Sequence, residues 1–284
     1  MRLEDAIRLA AGSAMRQLAS NLAEARRGDV EGVHRMRVAL RRLRTVLVLF
    51  SPFIEKRAKA RFNEAIRNLG QILGTARDWD VFVLQTLKDA KRAGIAKEGL
   101  PILRRTAEER RAKAHAKVHR VLVGTAPARL VGGMEAWIAK GEYCAPAHAH
   151  MPLVEVLPEL IERIASKVHR RGRDLAKLSP EGLHLLRKSI KKLRYSVESC
   201  GKVYTRKRVL QTARTCKKLQ SLLGAVNDST VAVRLLTEIA KEPSADLKPA
   251  VAELLAWNEV RRNAAHAKLA KIWHEFKAEK PFRR

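Results

Sequence analysis

Two stretches of this chain, 150 residues apart, are versions of one another, and both have the periodicity of a helix. Residues 33–50 read VHRMRVALRRLRTVLVLF and residues 183–200 read LHLLRKSIKKLRYSVESC. Set at about 100° per residue, Met36, Leu40, Leu43 and Leu47 gather on one side of the first stretch. Leu186, Ile190, Leu193 and Val197 do the same in the second. The register extends well beyond these helices. Leu3 pairs with Leu153, EGVH from Glu31 with EGLH from Glu181, and LGQILGTARDWDVFV with LQSLLGAVNDSTVAV. The last match sets Leu73, Gly74 and Asp78 opposite Leu223, Gly224 and Asp228. Further on, HAKV at His115 and HAKL at His266 match at an offset of 151. Such a duplication restricts the fold to two copies of one helical unit, which is too few for a solenoid. Two helical bundles related by a pseudo-two-fold axis satisfy it.

The sides opposite the apolar ones carry cations. His34, Arg37, Arg41 and Arg44 fall within an arc of about 80° on a helix, and Arg42 follows Arg41 in the sequence. Their counterparts are His184, Arg187, Lys191, Lys192 and Arg194. A solvated helix face usually mixes acids with bases, because opposite charges at i, i+4 stabilise it. Here no acid lies between Glu31 and Glu55, so the first row repels itself and needs an anion from elsewhere. The whole chain shares the bias, with 58 Lys and Arg against 29 Asp and Glu, a net charge of +29. Residues 1–150 hold 29 bases and 15 acids and residues 151–284 hold 29 and 14, so the excess is not a tail. A polyanionic partner is implied: nucleic acid, an acidic membrane surface or a phosphate polymer.

No apolar run reaches the roughly 20 residues of a membrane span. The amphipathic start carries acids early, unlike a signal peptide. Cys144, Cys200 and Cys216 form no CxxC pair, which suits a reducing compartment and argues against a disulfide framework or zinc ribbon. A cytoplasmic protein without a membrane partner is expected.

Almost every segment has helical periodicity, and none alternates like a strand. Helices are expected over 3–25, over the basic stretch up to Ser51-Pro52, over 53–73, over 79–93, and from Pro101 to near Val123. Gly74 reads as a residue just past a helix end, and Asp78 as the N-cap of the next helix. The Gly- and Pro-containing segment 124–152 reads as a linker between a first repeat, 1–123, and a second, 153–284.

His34-x-x-Arg37-x-x-x-Arg41-Arg42-x-Arg44, its copy His184-x-x-Arg187-x-x-x-Lys191-Lys192-x-Arg194-Tyr195, and the two LG-x-x-x-D stretches resemble the CHAD family, the conserved histidine α-helical domain. The resemblance covers essentially the whole chain. It implies an all-α fold of two similar four-helix bundle subdomains around a basic cavity. It also implies binding of inorganic polyphosphate and association with polyphosphate granules, with other granule-associated proteins as candidate partners. The chain offers five helical pieces per half where the family has four, and 79–93 is the piece expected to be short or merged.

Arginine suits phosphate oxygens through its planar paired donors, and lysine adds a mobile point charge. Besides the two rows, the repeat nominates Arg67 with Lys217, Arg111 with Arg262, and Lys117 with Lys268 as further cations of the track, against the alternative of plain helix surface. His34 and His184 read first as phosphate donors, with phospho-acceptor, metal-ligand and helix-start roles as alternatives. Neighbouring cations lower such a histidine's pKa in the free state, and a bound polyanion raises it. His115 and His119 have the i, i+4 spacing of a zinc pair but lack the glutamate of HExxH. No metal and no cofactor is expected. Asp78 and Asp228 read as caps ahead of a catalytic carboxylate pair. No phosphate-binding glycine loop, nucleophile elbow or paired Mg²⁺ ligands occur, so binding without catalysis is the expectation. Nucleic acid stays open as the second partner, although no aromatic residue interleaves the first row and no helix-turn-helix or zinc-finger spacing is present. An enzyme of polyphosphate metabolism is the third reading.

Overall fold

Asp29 ends the first helix hairpin turn by capping the basic helix, and its carboxylate accepts from Gly32 N at 2.6 Å. Ser179 repeats the device in the second half, its Oγ accepting from Gly182 N at 3.2 Å. Between such caps the computed structural model, which describes residues 1–141, 144, 146–199, 206–241 and 247–278, is helical. The first half holds α1 (Leu3–Arg26), α2 (Val30–Leu49), α3 (Lys56–Val81), α4 (Leu87–Arg92), α5 (Leu100–Val123) and α6 (Thr125–Lys140). A short α7 (Pro146–Ala149) leads to α8 (Leu153–Arg171), α9 (Pro180–Ser199), α10 (Arg206–Ile239) and α11 (Leu247–Ala278). Among the described residues no strand forms; an isolated antiparallel bridge joins Arg2 and Pro152. Its hydrogen bonds are reciprocal at the repeat offset: Leu3 N donates to Met151 O at 2.9 Å and Leu153 N to Met1 O at 3.1 Å. No helix among the described residues is long and apolar enough to cross a membrane.

The punctuation expected at Gly74 and Asp78 is corrected, and the merging expected of 79–93 is found. Gly74 ends no helix and Asp78 starts none, because α3 runs through both, and α10 runs likewise through Gly224 and Asp228. The expected helix over 79–93 is merged: α3 passes through a π turn, Phe82–Thr86, directly into α4. A glycine in a helix interior costs about 1 kcal/mol relative to alanine. Here Leu69, Leu73, Ala76 and Trp79 are buried along one face on both sides of Gly74, and that packing overrides the local signal. The segment 124–152 carries α6, which packs against α1 and α3, burying Leu130, Met134 and Trp137, with the Trp137 ring 5.5 Å from that of Phe62. Its Pro127 sits in the first turn, where no backbone N–H is needed.

The core is divided by position along the long helices rather than by repeat. One cluster joins α1, α2, α3 and α6 to α8, α9 and the far part of α11, from Ile7 and Leu43 to Leu193 and Trp273. A second joins the distal ends of α3, α4 and α5 (Trp79, Phe82, Leu103) to those of α10 and α11 (Leu235, Leu254). α2 and α9 meet at the centre. Cys144 and Cys216 are buried, and Cys200 lies outside the described residues.

Candidate functional site

Because their apolar sides are fixed in the core, α2 and α9 turn their basic sides towards a common space. A cavity of about 520 Å³ is walled by Arg37, Arg41 and Arg44 of α2 and by His184, Arg187, Lys188, Lys191 and Lys192 of α9. Arg67 of α3 and Arg171 at the end of α8 complete its basic wall. The two rows act on each other directly. Burial, then Arg41, Asp78, Arg77 and Arg187, set the Arg37 guanidinium, which is pushed down to about 10. Lys191 is pushed down to about 6 by burial and by Arg41, Arg187 and Arg37, with only Asp228 opposing. Lys192 falls to about 8, through burial and the charges of Arg44, Lys167, Arg171 and Lys188. Arg187 is also lowered, first by burial.

The LG-x-x-x-D stretches turn out to be seats for the second cation of each row. Gly and Asp at i, i+4 lie on one helix face. A Cβ on Gly74 would come within 2.8 Å of Arg37 Nη1, and one on Gly224 within 3.5 Å of Arg187 Nη2. At Gly74 only a side-chain-free position lets the guanidinium lie so close to the helix, whereas at Gly224 a Cβ would make an ordinary contact. One turn on, Asp78 and Asp228 place their charges against the same arginines. Asp78 accepts from Arg234 Nη2 of α10 at 3.0 Å, and burial raises its pKa despite the arginines around it. Arg37 Nη1 and Arg187 Nε are buried donors with no protein acceptor.

The histidines differ between repeats. His184 Nδ1 lies 2.7 Å from Asn227 Oδ1, an oxygen that can only accept, so the hydrogen is on Nδ1 and Nε2 is left for the cavity. Burial, with Lys188, Arg187 and Lys191, lowers its pKa against that hydrogen bond. His34 faces Arg77 where His184 has Asn227; it is lowered by burial, Arg77, Arg41 and Arg37, and is not on the cavity wall.

Several expected cations are committed elsewhere. Arg42 donates to Gln17 Oε1 at 2.7 Å, stands 5.9 Å over the Tyr195 ring and lines a separate groove with Leu9 and Val46. Arg194 pairs with Glu198 at 3.2 Å and stands 4.9 Å from the centroid of the same ring. Arg111 donates from Nε to the fully buried Asp80 at 2.8 Å and from Nη1 to Glu108 at 2.9 Å. Arg262 donates to Glu259 at 3.2 Å. Each of these charges already has an anion or amide partner inside the fold. Lys117, Lys217 and Lys268 are exposed and not on the cavity wall. His115 and His119 turn to different partners, Asp80 Oδ1 and Arg26 O, each at 2.8 Å. Among the described residues no group of three or more His, Cys, Asp or Glu side chains could hold a metal ion.

Two cavity cations escaped the sequence reading. Lys188 and Arg171 have Val38 and Asn21 at the offset of 150, so matching the repeats hid them. Lys188 was legible as the residue four after His184 on the same helix. Arg171 had no local signal; its place follows from bonds to Leu185 O at 3.0 Å and Ser189 Oγ at 2.6 Å.

Comparisons with known proteins agree on one family. The CHAD domain model matches residues 9–237. The chain is similar to two uncharacterized proteins of Mycobacterium tuberculosis, from strains CDC 1551 and H37Rv, at 26% identity over 211 residues. That match covers 71% of this chain but 39% of those proteins, so the chain spans about two fifths of their length. Its fold resembles the crystal structure of the CHAD domain from the plant Ricinus communis, with a TM-score of 0.86, 24% identity, and coverage of 99% and 93% of the two chains. It also resembles PptA from Streptomyces chartreusis, with a TM-score of 0.79, 15% identity, and coverage of 96% and 100%.

Proposed function

The chain belongs to the CHAD domain family, and from that premise we propose that it binds inorganic polyphosphate, without cleaving it, in the cavity between α2 and α9. The observation that carries this reading is the convergence of two cation rows, neither of which contains a carboxylate. Desolvating Arg37, Arg187 and Lys191 together is costly unless anions satisfy them. A phosphate chain, with about one charge on every closely spaced phosphate, matches that need far better than a singly charged ligand. The two repeats are read as four-helix bundle subdomains related by a pseudo-two-fold axis, supported by the reciprocal bonds of Leu3 and Leu153 and by the paired seats at Gly74 and Gly224. Phosphoryl transfer uses metal-holding carboxylates beside the reacting group. The nearest ones, Asp78 and Asp228, are held among Arg37, Arg187 and Arg234, which favours binding over catalysis. Association with cytoplasmic polyphosphate granules follows from this ligand.

The test is titration of the chain with long-chain polyphosphate and with duplex DNA of equal charge, at several salt concentrations. Polyphosphate should bind more tightly, with affinity falling steeply as salt rises through counterion release. Reversing Arg37 and Arg41 to Glu should weaken binding by at least about tenfold more than reversing the exposed Arg27 and Arg57. Arg26 is unsuitable as a control, since its Nε donates to Leu122 O at 2.8 Å and ties α1 to α5. Equal or tighter binding to DNA, or equal losses from both pairs of reversals, would sink the proposal.

A further inference from the structure

We infer that bound polyphosphate leaves the cavity by one mouth only, across an outer subsite made of Arg44, Lys167, Arg171, Lys188 and Lys192. This rests on the polyphosphate reading and gives that reading a direction and a dependence on chain length. Arg44, Arg171, Lys188 and Lys192 are on the cavity wall, at the side where α8 packs on α9. Arg171 is held in position by its bonds to Leu185 O and Ser189 Oγ. Lys167, one turn earlier on the same face of α8, acts on Lys192 and also lines an open groove of about 840 Å³ along α8 with Arg163 and Arg170, and with Glu159 and Glu162 nearer the start of the helix. The neighbouring charges that act on Lys188 and Lys192 are all cations of this cluster.

The duplication supplies the internal control. At an offset of 150, Lys167, Arg171, Lys188 and Lys192 become Gln17, Asn21, Val38 and Arg42, and Arg44 becomes Arg194. Where α1 packs on α2, five cations are thus reduced to two, and both are already engaged. Arg42 is bonded to Gln17 and Arg194 is paired with Glu198, with Tyr195 against both guanidinium groups. Asn21 accepts from Arg35 Nε at 3.2 Å. A phosphate chain leaving on the α8 side meets five cations, none of them ion-paired among the described residues, with Glu159 and Glu162 lining the groove beyond them. On the α1 side it meets amides, a valine and a carboxylate. The site therefore takes a chain by one end or one arm, and extra length adds affinity only in the direction of α8.

The experiment compares tripolyphosphate with long-chain polyphosphate on the full chain. Lys167→Gln with Arg170→Gln removes two exposed charges from the α8 side that are not on the cavity wall, and Arg42→Gln with Arg194→Gln removes two from the opposite side. Thermal melting verifies that both variants fold. The first pair should weaken long-chain binding by about tenfold and lower the salt slope by about 1.4, at about 0.7 per released counterion as for single-stranded polyanions. Tripolyphosphate binding should stay within about twofold, and the second pair should leave both ligands within about twofold. Equal losses for the short and long ligands, or equal losses from the two pairs of substitutions, would overturn the one-mouth inference while leaving polyphosphate binding intact. A wild-type chain that binds neither ligand would overturn both.

Discussion

If the cavity binds a polyanion as proposed, Lys191 should make that binding a proton-uptake reaction, with a size that follows from the cavity. Arg41, Arg187 and Arg37 face this lysine from α2 and α9, and Asp228 faces it from α10. In the ligand-free protein it sits at about 6, and Lys192 at about 8. A phosphate chain in the cavity reverses the sign of the local field, so both lysines are charged in the complex. Protonating Lys191 from its neutral form at pH 7.5 then costs about 2 kcal/mol of binding free energy, at 1.36 kcal/mol per unit. Between pH 6 and pH 8 affinity should fall by about 50-fold through Lys191 and about twofold through Lys192, together about 100-fold. His34 and His184 are also lowered in the free protein and raised by a bound polyanion, so they add to the gain in the same direction as pH falls. Internal phosphates of a long chain keep their charge over this interval, so the ligand does not contribute the same trend. The assay is calorimetric titration at pH 7.5 in two buffers of different ionisation enthalpy, where the difference in heat should correspond to uptake of about one proton. Lys191→Met should abolish most of that uptake. The sign for stability is opposite. An unfolded chain binds a proton at Lys191 that the folded chain does not, over the interval from about 6 to 10.5. This group therefore makes the ligand-free protein more stable as pH rises through that interval. Affinity that is flat from pH 6 to 8 with no buffer-dependent heat would refute the reasoning.

Other perturbations read the seats and the fold. Gly74→Ala puts a methyl 2.8 Å from Arg37 Nη1, so polyphosphate affinity should fall by about tenfold even though helix propensity rises by about 1 kcal/mol; Gly224→Ala, at 3.5 Å, should lose less in the same titration. Asp80→Asn leaves Arg111 and His115 without their buried carboxylate and should cost about 3 kcal/mol in urea unfolding. Because the folded Asp80 is held below the ordinary 3.8, its contribution is complete above that value and is lost as pH falls below it. Gly172→Ala would bring a methyl 2.1 Å from Trp273 Cζ2, a rigid ring in the core, and should lower stability by about 1–3 kcal/mol without changing affinity in the folded fraction.

Much of the site was readable because helical period and repeat both report local chemistry. The apolar positions of 33–50 and 183–200 are core positions, and that alone turns Arg37, Arg41, Arg187 and Lys191 to the other side. Some ion pairs among the expected cations were legible too. Arg194 with Glu198 and Arg262 with Glu259 are at helical pair spacing, so their neutralisation was visible in the sequence. Others were not. Arg42 with Gln17 and Arg111 with Asp80 are distant in sequence, and no periodicity links them. Gly74 and Asp78 looked like helix punctuation because a single chain displays propensity and not the arginine that needs the space.

By itself the sequence determined that this chain is helical, duplicated, and basic on the uncovered sides of two matched helices. Those properties depend on residue type and spacing within a turn or two. The tertiary structure alone decided which cations remain unpaired, since a long charged side chain takes whichever acceptor packing brings within reach. It also decided that Lys191 is desolvated and that Arg42 and Arg194 are engaged by Gln17 and Glu198, while no carboxylate among the described residues pairs with Lys167 or Arg171. Desolvation and Coulomb energy depend on distances between elements, and those distances exist only once α2, α8 and α9 have packed.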